Sequence, residues 1–181
     1  MIIVTGLRSG TSLIMQTLKL LGVPVVGFKF HDDFSHAELN PKGYYDLPIS
    51  ETWEGLNTNK HKGKAVKLGG YQLSKTHPKY VDKVIVCDRN KKATTSSILR
   101  LMKADYNISR IKPTVENAEL AYNSNKYLID DYIKAKTSIR IQYEDMIERS
   151  ELAICKICGF LSIKNDVTEA INNIEKRELC L

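Results

Sequence analysis

Short runs of β-branched and apolar residues alternate along the chain with longer stretches whose apolar residues recur every three or four positions. The first pattern predicts buried strands, and the second predicts amphipathic helices. The expected strands are 2–5, 23–26, 64–68, 83–89 and 138–143. Because strands that alternate with helices form parallel sheets, we expect one α/β domain over residues 1–181, with about five parallel strands covered by helices.

Helices are predicted between these strands. The first helix is expected to follow the first strand and to end at Gly22. Four more are expected near 48–56, over 92–105, from about Pro113 onward, and over 151–160. Glycine commonly follows a helix and proline suits a first helical position, so Gly22 and Pro113 are typical boundaries. The segment 27–45 has no clear periodicity and is predicted to be a long loop, a feature that is usually functional in a compact domain.

The composition narrows the class of protein. An apolar fraction of 43% and a charged fraction of 27% are ordinary for a soluble globular domain. No apolar run approaches the roughly 20 residues of a membrane span, and the first residues do not resemble a signal peptide, so a cytoplasmic protein is expected. The net charge of +6 favours an anionic ligand, but no nucleic-acid-binding motif accompanies it.

Cysteine and tryptophan give weaker signals. Cys155 and Cys158 form a C-x-x-C pair, but they lie among apolar residues at helical spacing and are predicted to be small core residues. Trp53 is the only tryptophan, and its predicted role is a core anchor beneath the long loop.

The stretch VTGLRSGTSL joins the first strand to the first helix. A loop in this position points backbone N–H groups at one spot beside the positive end of the helix dipole, and Gly6 and Gly10 let that backbone approach an anion closely. An ATP-binding loop would carry lysine where Thr11 stands, whereas here Arg8 lies inside the loop. The loop therefore predicts a phosphate site and disfavours nucleoside triphosphate chemistry.

Four blocks of the chain resemble the sulfotransferases that use 3′-phosphoadenosine 5′-phosphosulfate. RSGTS is similar to their 5′-phosphosulfate loop, and Arg89 followed eight positions later by Ser97 is similar to their 3′-phosphate pair. NPKGYYD, ending at Asp46, and the YED segment from Tyr143 resemble two further blocks of the family. The blocks occur in the family's order from residue 2 to about residue 163.

The resemblance implies a single sulfotransferase-like domain with a three-layer P-loop NTPase-like fold that needs no metal. It implies transfer of a sulfuryl group to a hydroxyl or amine of a glycan, protein or small molecule. Arg8 would act at the bridging oxygen of the leaving group, where charge develops. The remaining donor contacts would come from Ser9, Gly10, Thr11 and Ser12 at the 5′-phosphate and from Arg89 and Ser97 at the 3′-phosphate.

A general base must accept the acceptor's proton. Asp46 is the favoured candidate because it closes a block of the family, although it could instead anchor the loop. The other candidates in the long loop are Glu38 and Asp33, followed by His31, Asp32 and His36. Lys176 and Arg177 are weak candidates for a further grip on the 3′-phosphate, and Trp53 is an alternative stacking partner for adenine.

Three other functions stay open. A P-loop small-molecule kinase would share the fold but would need the missing lysine. A non-catalytic sulfotransferase-like protein would bind the nucleotide without turnover, and the basic composition permits a nucleic-acid-binding module. The chain is short for the family, and the resulting expectation is an open acceptor cleft for a large or exposed acceptor such as a glycan or a protein side chain.

Overall fold

A parallel sheet of four strands forms the centre of the computed structural model, which describes residues 1–28, 43–104 and 110–175. The strands are β1 (Ile2–Thr5), β2 (Ala65–Leu68), β3 (Lys83–Asp88) and β4 (Ser138–Gln142), in the order β2-β1-β3-β4. Every neighbouring pair is parallel. β1, β2 and β3 are largely buried, as expected for a sheet that carries helices on both faces.

The strand expected at 23–26 does not join the ladder. Val25 makes only an isolated bridge with Ala65, supported by two backbone hydrogen bonds of 2.8 and 2.9 Å. Pro24 has no N–H to donate, and Gly22 and Gly27 at φ 80° and 116° turn the chain on either side. The segment therefore lies beside the edge of β2, and the described sheet has four strands rather than five.

Helices and two short 3₁₀ turns cover the sheet. The helices are α1 (Thr11–Leu20), α2 (Ile49–Thr52), α3 (Gly70–Lys75), α4 (Lys91–Ala104), α5 (Val115–Ile133), α6 (Tyr143–Glu148), α7 (Ser150–Leu161) and α8 (Thr168–Glu175), with 3₁₀ turns at Asn59–His61 and Pro78–Tyr80. The Thr114 hydroxyl caps α5 by accepting from the N–H of Asn117 at 3.2 Å, so this helix begins just after the predicted proline.

Two apolar clusters, one on each face of the sheet, hold the layers together. On one face, residues of α1, α7 and α8 pack together, including Leu18, Ile154 and Ile174. On the other face, residues of the strands pack with Leu73 of α3 and Ile129 of α5. Each fully buried side chain of this kind stabilises the fold by roughly 1.5–3 kcal/mol. The predicted three-layer α/β arrangement is confirmed.

The topology places a crevice at the carboxyl ends of β1 and β3. The chain leaves β1 toward β2 on one side and leaves β3 toward β4 on the other. In open α/β sheets, ligands bind at the point where the connections diverge in this way. The loop after β1 and the residues after β3 lie at that point.

Two side chains differ from their predicted environments. Trp53 is 54% exposed and packs against Tyr71, so its predicted role as a core anchor is wrong. Cys158 is buried as predicted, but Cys155 is exposed because it lies on the outer side of α7. No helix of the described residues is long and apolar enough to cross a bilayer.

We expect alkylating reagents to distinguish the two cysteines of α7. Burial raises the pKa of the Cys158 thiol and hides it, whereas Cys155 is accessible, so iodoacetamide at pH 8 should modify Cys155 at least tenfold faster. Peptide mass spectrometry over a time course measures both rates. Equal rates in the folded protein, with a common rate in urea as the reference, would contradict the packing of α7.

Candidate functional site

The loop between β1 and α1 adopts a backbone that favours anions. Gly6, Arg8 and Gly10 all have positive φ, at 137°, 53° and 97°, and Gly10 occupies the N-cap of α1. Alternating conformations of this kind turn successive N–H groups toward one concavity. Gly10 is required for a second reason, because a Cβ there would lie 2.3 Å from Cδ2 of the Tyr143 ring.

Arg8 is half-buried and is held by α4. Its Nε donates to the Ser97 hydroxyl at 3.1 Å, so the structure brings together two predicted site residues that are far apart in the chain. Burial lowers the pKa of Arg8, the Tyr44 hydroxyl opposes this, and the positive charges of Arg100 and Arg89 lower the pKa further. A cation that is desolvated and close to two like charges is a strong attractor for an anion.

Arg89 lies at the end of β3 and stacks on an aromatic ring. Its guanidinium carbon is 4.5 Å from the centroid of Tyr143, the same ring that abuts Gly10. Tyr143 therefore lies against both the loop after β1 and the arginine after β3. Tyr143 was identified by its family block, but its contact with Arg89 was not predicted, because that contact depends on how β3 and β4 pair.

Three buried polar atoms face one cleft at the carboxyl ends of β1 and β3. They are Ser9 Oγ, Thr94 Oγ1 and Arg89 Nε, and none of them has a hydrogen-bond partner among the described residues. Buried polar groups are nearly always satisfied, so such a group of donors indicates an oxygen-rich ligand or water. Thr94 was not predicted as a site residue.

The carboxylates next to Arg89 are already engaged. Arg140 donates to both oxygens of Asp88, at 2.8 and 3.1 Å, and also pairs with Asp130. Within the part of the chain that the structure describes, no carboxylate forms an ion pair with Arg8 or Arg89. The charge of Asp46 raises the pKa of Arg8 without forming an ion pair with it, so among the described residues neither arginine is neutralised by direct contact with a carboxylate.

The Cys87 thiol forms a hydrogen bond with the backbone of the loop between β1 and α1. It is buried in β3 and donates to the carbonyl oxygen of Ser9 at 2.7 Å. Burial raises its pKa to about 12, so the thiol stays neutral and keeps its proton for this contact. The Cys87 thiol therefore stabilises the loop and is not placed as a nucleophile.

Lys67 on β2 contacts Asp46, Tyr44 and Ser12, the last in the first turn of α1 after the loop. Its Nζ pairs with Asp46 at 2.8 Å and also donates to the carbonyl oxygen of Tyr44 at 2.6 Å and to the Ser12 hydroxyl at 3.3 Å. Burial lowers the pKa of Lys67, and Asp46 opposes that effect. The side chain of Asp46 stays 51% exposed. Lys67 was not predicted as a site residue, although a lysine within the apolar run of β2 is a signal of a special role.

The remaining predicted residues divide into two groups. Thr11 and Ser12 form the first turn of α1, beside the loop that holds Ser9 and Gly10. The other base and phosphate candidates lie outside the described residues: Asp33, Glu38, His31, Asp32, His36, Lys176 and Arg177. Among the described residues, no cluster of three or more His, Cys, Asp or Glu is placed to hold a metal ion.

Comparison with known proteins identifies the fold. No family model matches the chain, and no curated protein sequence does either. The sulfotransferase domain from the curacin biosynthetic pathway matches with a TM-score of 0.59 at 12% identity, covering 98% of this chain and 78% of that domain. The sulfotransferase domain from the Synechococcus PCC 7002 olefin synthase matches with a TM-score of 0.58 at 18% identity, covering 98% and 77%. The chain therefore has the fold of these sulfotransferase domains.

Replacing Gly10 tests the packing of the loop on Tyr143. Gly10→Ala should lower the free energy of unfolding by about 1–3 kcal/mol, because alanine disfavours φ 97° and its Cβ would collide with the ring. Urea unfolding measures the change. Gly159→Ala is the matched control: no heavy atom lies within 4 Å of that Cβ, and alanine in a helix should stabilise by about 0.5–1 kcal/mol. A neutral Gly10→Ala would disprove the contact.

Proposed function

We propose that the protein is a sulfotransferase that moves the sulfuryl group of 3′-phosphoadenosine 5′-phosphosulfate to a hydroxyl or amine. The observation that carries the proposal is the meeting of Arg8 and Arg89 at the switch point of the sheet, each without a carboxylate partner among the described residues. The fold shared with sulfotransferase domains supports the same conclusion. A donor with an anionic group at each end suits two separate guanidinium groups.

The residues present fit the 5′ end of the donor. The backbone amides of Ser9, Gly10, Thr11 and Ser12 would bind the 5′-phosphate, since the positive-φ loop and the start of α1 leave room for close approach. Arg8 would neutralise the bridging oxygen as negative charge develops there. Its Nε is already engaged by Ser97, which fixes the guanidinium and leaves its terminal nitrogens for the donor.

The 3′-phosphate would lie between Arg89 and Ser97. Arg89 Nε is a buried donor without a partner among the described residues, and stacking on Tyr143 restrains the plane of its guanidinium. Ser97 accepts from Arg8 Nε, so its own hydroxyl proton can be donated to a phosphate oxygen. Ser97 would thus link the groups that bind the two ends of the donor.

The transfer step needs a nucleophile and a base. The acceptor oxygen or nitrogen forms a bond to sulfur while the bond from sulfur to the 5′-phosphate oxygen breaks, and the departing nucleotide keeps that electron pair. The acceptor's proton passes to a base, for which we propose the carboxylate of Asp46. Lys67 orients this carboxylate and is itself fixed by Tyr44 and Ser12, so the base has a defined position.

Alanine variants of the two arginines test the donor site. Arg89→Ala should weaken binding of 3′-phosphoadenosine 5′-phosphate about 10- to 100-fold, because a hydrogen bond to a charged group contributes roughly 1.5–3 kcal/mol. Arg8→Ala should weaken binding and also abolish turnover of the sulfated donor. Calorimetry measures affinity, and Arg149→Ala, which alters an exposed arginine paired with Asp145, should bind as wild type does.

Unchanged affinity in Arg89→Ala would overturn the donor assignment. ATP with magnesium is the ligand that a small-molecule kinase would prefer, and tighter binding of ATP than of the bisphosphate would favour that function instead. Binding of the bisphosphate without turnover of any acceptor would favour a non-catalytic nucleotide-binding protein.

A second variant separates the two roles of Asp46. As a base, Asp46→Asn should lower kcat at least 100-fold, with donor affinity within twofold of wild type. As a loop anchor, the same change should instead lower the free energy of unfolding, because Lys67 loses its partner. Turnover and urea unfolding of the same sample decide between the roles, and Asp46→Glu should restore part of kcat only if proton transfer matters.

A further inference from the structure

Two carboxylates lie in the wall of the cleft at the carboxyl ends of β1 and β3. Asp88 is the last residue of β3, directly before Arg89, and Asp130 lies on α5. The same cleft holds the three buried donors that have no partner among the described residues: Ser9 Oγ, Thr94 Oγ1 and Arg89 Nε. Because like charges repel strongly in a partly buried cleft, a phosphate group binds well here only when both carboxylates are neutralised.

Arg140 of β4 reaches both carboxylates. In the register of β3 with β4, Arg140 is opposite Val86. Residues two apart on a strand share a face, so Arg140 lies on the same face of the sheet as Asp88. Val86 packs with Ile129 of α5 on this face, so α5 covers it. The Arg140 guanidinium therefore donates to both oxygens of Asp88, at 2.8 and 3.1 Å, and also pairs with Asp130.

The charges that line the cleft nearly balance. Lys126 pairs with Asp130 at 2.5 Å, one turn earlier on α5. Three cations and two carboxylates line the cleft: Arg89, Lys126, Arg140, Asp88 and Asp130. The net charge of the lining is therefore +1, and it would be zero without Arg140. Asp88 would then have no cationic partner among the described residues, because its ion pair there is with Arg140.

The ion pairs of Arg140 have little value for folding alone. Burial by itself would lower the pKa of Arg140, but the hydrogen bonds and charges of Asp88 and Asp130 raise that pKa overall, so the guanidinium stays charged. Partly buried ion pairs stabilise a fold weakly, since apolar residues of similar size stabilise such a contact at least as well. The position of these ion pairs, in the same cleft as the donors for an anion, is therefore the informative feature.

We propose that Arg140 is a positioning residue of the nucleotide site. By neutralising and fixing the carboxylates of Asp88 and Asp130, it leaves the charge of Arg89 available to a phosphate group. The proposal rests on the proposed sulfotransferase function. Arg140 acts through the two carboxylates and not by contact with the donor. Without Arg140, Asp88 would repel a phosphate bound to the neighbouring Arg89.

Two substitutions of Arg140 test the proposal by calorimetry with 3′-phosphoadenosine 5′-phosphate. Arg140→Met keeps the length of the side chain and removes its charge, so the affinity should fall about 5- to 20-fold. Arg140→Lys keeps the charge and should bind within about threefold of wild type. Lys134→Ala removes an exposed cation that pairs with Asp131 outside the cleft, and it should bind as wild type does. If Arg140→Lys or Lys134→Ala weakened binding as much as Arg140→Met, the proposal would be wrong.

Removal of the carboxylates should reverse the defect. The triple variant, Arg140→Met with Asp88→Asn and Asp130→Asn, should bind within about threefold of wild type, because the amides carry no charge that repels phosphate. The two asparagine changes alone should tighten binding at least about threefold, since Arg140 then adds an uncompensated charge. A triple variant as weak as Arg140→Met would show that Arg140 acts through folding or direct contact, and would overturn the proposal. If circular dichroism shows Arg140→Met to be unfolded, the double asparagine variant decides, and unchanged or weaker binding overturns the proposal.

The wild-type protein distinguishes failure of this inference from failure of the proposed function. If wild type and Arg140→Met bind the bisphosphate equally well, only the role of Arg140 is rejected. If wild type does not bind the bisphosphate, the sulfotransferase is rejected, and pyrophosphate becomes the probe for the same variants. Weaker pyrophosphate binding by Arg140→Met, restored in the triple variant, would still support the role of Arg140 in an anion site. Absence of pyrophosphate binding by wild type would reject that role as well.

Discussion

The candidate site depends on the parallel pairing of β1 with β3. That pairing sets Thr5 opposite Val86, so the two chains leave the sheet at the same edge and carry Arg8 and Arg89 into one region. Neither arginine is neutralised by a carboxylate of the described residues, because Asp88 is engaged by Arg140 on β4. A shift in the register of β3 would separate the charges and also remove the Cys87 contact that supports the loop.

Local sequence patterns predicted most of the helices and strands. They failed where contacts between distant parts of the chain determine the structure. The run at 23–26 has the composition of a strand, yet Pro24 and the flanking positive-φ glycines limit it to one bridge. The loop around Arg8 was predictable because its chemistry lies within one short motif. The pairing of Lys67 with Asp46 and the contact of Tyr143 with Arg89 were not predictable, because each joins residues that are far apart in the sequence.

The fold holds two cations, Arg8 and Lys67, in partly buried positions beside the loop after β1. Burial disfavours the charged forms of Arg8 and Lys67, and the pKa of each is lowered for that reason. The protein retains both cations and fixes them with hydroxyl and carbonyl oxygens rather than neutralising them fully. Such preorganisation lowers stability in the free protein, but the fixed charges need little rearrangement when an anion binds.

The order of the strands bears on the geometry of the proposed reaction. In-line transfer requires the attacking atom to approach sulfur from the side opposite the departing phosphate. The groups proposed for the nucleotide and for the acceptor must therefore lie on opposite sides of the loop that holds Arg8. Along the carboxyl edge, β3 with Arg89 and β2 with Lys67 flank β1 on opposite sides. Because Asp46 pairs with Lys67, the base and the nucleotide site that we propose would lie on opposite sides of β1, as in-line transfer requires.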